Sequence, residues 1–315
     1  MPAKDRLRDF FKSALKVNPA APLLALSTYI LLLLSRLIDS SLLDRSNEYL
    51  NVILLQILIF LVPAAVFYRV RGNRYKEKLK LHAFHPESVL LIIFAAGVMI
   101  CGGILINTVF GFNNPGGSFS LYGTFISKND GSAANVIYLV LAYAALPAFC
   151  EETVYRGMIC SEYEDKGFFC CALVSAFMFA LLHFNISQFP VYIFTGFVLA
   201  WVLYITRSLF CTMLIHFCYN LFGLFVSPYI SSFYSTTGAT ELFVFIITVL
   251  FLIFALLFCG IASRLCKHLA RAGANPEYRT DIHFADSALY AGAVLISPVS
   301  LVSIIIYILT VVFTF

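Results

Sequence analysis

Nine blocks of mostly apolar residues, each about twenty long, divide this 315-residue chain, and no other feature restricts its fold as strongly. A helix rising 1.5 Å per residue needs about 20 apolar residues to cross roughly 30 Å of hydrocarbon. A membrane barrel fits poorly, because its strands alternate polar and apolar residues whereas these blocks are apolar throughout. The blocks fall at about 21–40, 51–69, 87–109, 135–157, 167–185, 189–206, 209–226, 241–263 and 288–313. The expected architecture is therefore all-α, a polytopic transmembrane helix bundle. Composition agrees: 61% of residues are hydrophobic and 12% charged, against about 45–50% apolar and roughly 25% charged in soluble domains. The first block has no Ala-x-Ala exit and reads as a first span, not a cleavable signal.

Charge placement sets the expected orientation. With the N-terminus in the cytoplasm, 18 of the 21 Lys and Arg residues fall on the inner side, including Lys4, Arg6, Arg8, Lys12 and Lys16 and the run from Arg69 to Lys80. Arg45 and Lys128 fall outside, and Arg36 lies within a span. This is the positive-inside pattern. It accounts for the net charge of +4 without any nucleic-acid partner. The chain then divides into a cytoplasmic basic segment (1–20), a bundle (21–263) with a chemical core at about 135–226, a cytoplasmic linker (264–287) and an extra C-terminal span (288–315). Residues 5–16 place Leu7, Phe10, Phe11 and Leu15 at helical spacing among basic residues, as a helix lying on the inner leaflet would. A basic flank that only sets topology is the equal alternative. The outer segment 110–134 carries Asn113-Asn114-Pro115-Gly116-Gly117, which is turn chemistry. The nine cysteines include no C-x-x-C pair and read as free, reduced thiols.

Ionisable residues within spans are costly, so they tend to be paired or functional. Here they cluster in the middle third: Glu151, Glu152 and Arg156 at the end of the fourth block, His183 in the fifth, and His216 and Asn220 in the seventh. Glu152 and Arg156 are four apart and share a helix face as an ion pair. Glu151 is rotated by about 100° from Glu152, which makes Arg156 a poor partner for it and leaves a carboxylate available for general-base work. His216 and Asn220, also four apart, share a face and are able to donate two hydrogen bonds to one oxyanion. His183 is expected to meet Glu151 from a third helix. Pro147, four residues before Glu151, favours a kink, although proline is ordinary in membrane helices.

The ordered set Glu-Glu-x-x-x-Arg, Phe-x-x-x-His and His-x-x-x-Asn resembles the CPBP family, the Abi group of CAAX proteases and bacteriocin-processing enzymes. The matching positions are Glu151, Glu152 and Arg156, then Phe179 and His183, then His216 and Asn220, and the likeness covers about 140–225. The resemblance implies a bundle of eight to nine spans, the ninth being one more than the family's eight. It also implies an intramembrane endopeptidase that cleaves a membrane-bound peptide or protein. Glu151, helped by His183, would activate water; His216 and Asn220 would stabilise the oxyanion; Glu152 and Arg156 would shape the site. No cofactor is expected, with zinc held by the two Glu and two His as the alternative. The bilayer is the other partner, and the location is a cell membrane if the chain is prokaryotic. One difficulty is geometric: even spans put His183 near an outer helix end and Glu151 in the inner half.

Two readings from other classes compete. The same residues suit a proton relay in a transporter, but no internal repeat of the transporter kind is present. A non-catalytic immunity or scaffold protein would not need the complete set. The His-Glu-x-x-His, Gly-x-Ser-Gly and Gly-x-Gly-Asp signatures of other intramembrane proteases are absent.

Overall fold

The computed structural model of the chain describes residues 14–37, 48–72, 75–110, 130–237, 240–271 and 282–314, and these residues form helices and turns with no strand among them. The helices used below are α1 (Ala20–Leu37), α2 (Glu48–Gln56, Ile57–Leu61 and Val62–Arg71 in succession), α3 (Ser88–Val109), α4 (Ala133–Cys160) and α5 (Phe168–Leu181). They continue with α6 (Phe189–Thr206), α7 (Leu209–Phe225), α8 (Thr240–Arg271), α9 (Phe284–Leu295) and α10 (Pro298–Thr314).

Among the described residues each apolar block lies mainly on helix, but the count of eight to nine spans is not confirmed. Five described helices are long and apolar enough to cross a membrane, namely α2, α3, α4, α6 and α8. The pair α9 and α10 makes a sixth if taken as one span bent by 63°. Pro298 explains that break, since it has no N–H to donate and restricts the residue before it. Three apolar helices are shorter. Of these, α5 has 14 residues, about 21 Å of rise. Residues 38–47, with Asp39 and Arg45, lie outside the described residues. So do most of 5–16, the outer loop 111–129 with its Asn-Asn-Pro-Gly-Gly turn, and 272–281. The segment read as an inner linker starts as helix, because α8 runs on to Arg271.

Packing follows side-chain size. α6 lies between α5 and α3, and α3 in turn packs on α8; α7 sits against α3, α4 and α6. One buried cluster joins α1, α2, α4 and α5, and a second joins α3, α6, α7 and α8. Gly102 permits the second: a Cβ there would lie 2.4 Å from the Phe194 ring. Large apolar side chains such as Val70, Leu256 and Val312 stay exposed on the outer faces, which suits lipid and would be a liability in water. The chain is a multi-pass membrane protein.

The link from α2 to α3 is clamped to the end of α4. Lys80 pairs with Glu164 and donates to Ser161 Oγ at 2.9 Å, while Arg71 pairs with Glu162. Lys80 O accepts from the Leu209 N–H at 3.0 Å, so the same residue tethers the start of α7. Burial pulls the Lys80 ammonium below its usual range and pushes the Glu164 carboxyl above its own, with each opposed by the other's charge. Both charges are therefore held at a desolvation cost that the partner offsets.

Candidate active site

Glu151, Glu152, Arg156 and His216 meet where α4 is least regular. Pro147 has no N–H for the carbonyl four residues back. The helix widens into a π-turn over Leu141–Ala145 just before it, and the Leu146 N–H donates to Leu141 O, five residues earlier. A second π-helical stretch, Thr153–Cys160, follows directly after Glu152. Such stretches are rare and concentrate at functional sites. This one is braced by hydroxyls from its neighbours. Ser175 Oγ donates to Tyr155 O at 2.7 Å, and Tyr75 Oη to Met158 O at 2.7 Å. The bracing fixes the turn that carries Arg156.

Four side chains from α4 and α7 form the charged centre. Arg156 Nη1 donates to Glu152 Oε1 at 2.8 Å, and both side chains are fully buried. The pair expected from the four-residue spacing is present. His216 Nδ1 lies 2.9 Å from the same Glu152 oxygen. A carboxylate only accepts, so Nδ1 carries the hydrogen. The other ring nitrogen, Nε2, then faces Glu151, whose Oε2 is 3.9 Å away. That gap is too long for a direct hydrogen bond. Among the described residues no ion pair joins Glu151 to Arg156, in keeping with the helical rotation between the two carboxylates. His216 thus spans both carboxylates, a role the sequence reading did not assign.

His183 approaches from another side. α5 ends at Leu181 and the chain turns through 182–188, with Phe184 in the left-handed region at φ 47°. The fifth block is a short helix followed by a turn. His183 Nδ1 lies 3.0 Å from Phe179 O. A carbonyl only accepts, so Nε2 is the free nitrogen of the neutral ring. The ring stacks on Tyr192 at 3.7 Å and 18°, and meets the Phe179 ring edge-on at 4.8 Å. Phe179 also meets His216 edge-on at 5.9 Å and lies under the Arg156 guanidinium at 4.4 Å, a cation–π contact. Phe179 is the hub between the two histidines. Among the described residues no hydrogen bond or ion pair joins His183 to Glu151. Asn220 lies one turn beyond His216 on α7, partly buried, on the face the four-residue spacing requires.

Three residues outside the sequence motifs shape the site: Tyr192, Ser175 and Gly196. Ser175 was visible as the only polar residue of α5, and lone hydroxyls in membrane helices tend to bond across helices. Gly196 was visible as a single glycine inside an apolar helix, a mark of close approach. A Cβ there would sit 2.9 Å from Ala176 Cα and 3.2 Å from Arg156 Nη2. Gly196→Ala is therefore expected to destabilise the protein by about 1–3 kcal/mol through overpacking and to displace the guanidinium. Thermal unfolding and turnover measured together check this, since both should fall.

The donors do not gather into a metal shell. No three His, Cys, Asp or Glu side chains among the described residues sit at metal-ligand spacing. Glu152 Oε1 is shared by a guanidinium and an imidazole N–H, and His183 Nδ1 is committed to a carbonyl.

Residues 133–222 match a family model, type II CAAX prenyl endopeptidase Rce1-like. The matched segment contains Glu151, Glu152, Arg156, His183, His216 and Asn220. No curated protein and no solved structure gives a significant match to the chain.

Proposed function

Starting from residues 133–222 as an Rce1-like type II CAAX prenyl endopeptidase domain of the CPBP protease family, we propose that the protein is an intramembrane endopeptidase in which Glu151 activates water against a membrane-associated peptide or protein. The observation that carries this reading is the 3.9 Å separation of Glu151 Oε2 and His216 Nε2. An oxygen held between them lies within reach of a base and of a polar ring nitrogen.

In the proposed reaction Glu151 takes a proton from that water as its oxygen attacks the scissile carbonyl carbon. His183, with Nε2 free, orients the same water. The carbonyl oxygen becomes an oxyanion and accepts from Asn220 Nδ2 and, in the cationic form of the ring, from His216 Nε2. Glu152 supports that form through Nδ1, and Arg156 holds Glu152 in place. The tetrahedral intermediate collapses with breakage of the C–N bond, and Glu151 returns its proton to the leaving nitrogen. No step calls on a metal.

Purified protein reconstituted in liposomes with a panel of membrane-anchored peptides tests the proposal. Mass spectrometry is expected to find products of internal cleavage, still formed after exhaustive chelation. Activity lost to chelator and restored by zinc would replace this mechanism with the zinc one. Proton flux without cleavage would favour the transporter.

A further inference from the structure

A cavity of about 500 Å³ opens between the inner ends of α3 and α8, apart from the site above. Arg264, Lys267 and His268 line one wall, Glu87 lines the other, and Leu90 and Leu265 form an apolar floor. The His268 ring lies 5.3 Å from that of His85, which ties the C-terminal turns of α8 to the chain entering α3. No ion pair among the described residues engages Arg264, Lys267 or Glu87. Two permanent cations therefore face a single carboxylate.

Depth decides what such a cavity meets. α8 has 32 residues, about 48 Å of rise against roughly 30 Å of hydrocarbon. Counted from Thr240, Arg264 lies about 36 Å along the helix, just beyond the hydrocarbon. α3 has 22 residues and begins at Ser88, so its length of about 33 Å ends at the same level. Charge placement assigns this end to the cytoplasm, where anionic lipids are found. Basic residues here also serve orientation, but orientation needs only charge and not a cavity shared by two helices.

We propose that this cavity binds the headgroup of an anionic phospholipid, with the phosphate between Arg264 and Lys267 and the acyl chains over Leu90 and Leu265. The ligand chemistry is a phosphate anion; the interfacial depth and the apolar floor select a lipid over free phosphate as its source.

Native mass spectrometry of the full-length protein in detergent, titrated with phosphatidylglycerol, phosphatidylcholine or inorganic phosphate, tests this. Wild type is expected to retain one phosphatidylglycerol in preference to phosphatidylcholine. Removing each cation is expected to weaken retention about fivefold, so Arg264→Ala/Lys267→Ala should lose about 25-fold. Glu87→Gln removes the opposing charge and should tighten retention a few-fold, a gain that misfolding does not produce. Equal retention by the double variant, equal retention of phosphatidylcholine, or no gain with Glu87→Gln would overturn the site. Displacement by inorganic phosphate would overturn the lipid assignment in favour of a free anion.

Discussion

Glu151→Gln is expected to lower peptide cleavage by about 10³-fold, in the range of general acid–base contributions, while the protein still inserts and unfolds as wild type does. The reason is the isolation of this carboxylate. The ion-pair distance found for it among the described residues is to His216 Nε2, at 3.9 Å, and glutamine keeps its shape and polarity but takes no proton. Nothing in the packing of α4 depends on its charge, because the Arg156–Glu152 pair holds the adjacent turn. Turnover and thermal unfolding measured on the same preparation check both halves. Cleavage near the wild-type rate would remove Glu151 from the role of base.

Arg156→Met is expected to carry the largest stability cost, about 3–5 kcal/mol. It strands the fully buried Glu152 carboxylate without a cation, leaving it the His216 Nδ1 hydrogen bond. It also removes the cation from above Phe179, which touches both histidines. Combining it with Glu152→Gln removes the stranded charge and should recover most of the loss, since a missing buried pair costs far less than half of one. Denaturation of the single and double variants measures this. Activity should stay low in both, because the single variant no longer holds Glu152 in place and the double variant also deprives His216 of the carboxylate that fixes its Nδ1 hydrogen. A double variant no more stable than Arg156→Met would show that the guanidinium acts by packing and not by charge.

Much of the helical layout was legible from side-chain chemistry alone. The block at 189–206 coincides with α6, and that at 87–109 differs from α3 by one residue, because continuous apolarity admits no other backbone in lipid. The Glu152–Arg156 pair followed from a four-residue spacing that survives the widened turn. What local rules did not show depends on contacts between helices. The π-helical run after Glu152 exists where Ser175 and Tyr75 supply hydroxyls to its carbonyls, and neither is near it in sequence. The fifth block remains apolar through Leu182, yet α5 stops at Leu181, so hydropathy did not reveal the turn that sets His183. His216 was read as a partner of Asn220 because they share a face. Its link to Glu152 spans 64 positions and needed the packing of α7 on α4. Pro147 has a structural consequence after all, in the π-turn that precedes it.

Isotope transfer in a single turnover discriminates between the possible uses of Glu151. Protein in excess over a cleavable membrane-anchored peptide is mixed in ¹⁸O-water, and the product and the peptide containing Glu151 are both weighed. Attack by water held between Glu151 and His216 predicts one ¹⁸O in the new product carboxylate and none in Glu151. Label in the Glu151 carboxylate would mean that it attacked the peptide itself, and would contradict the account.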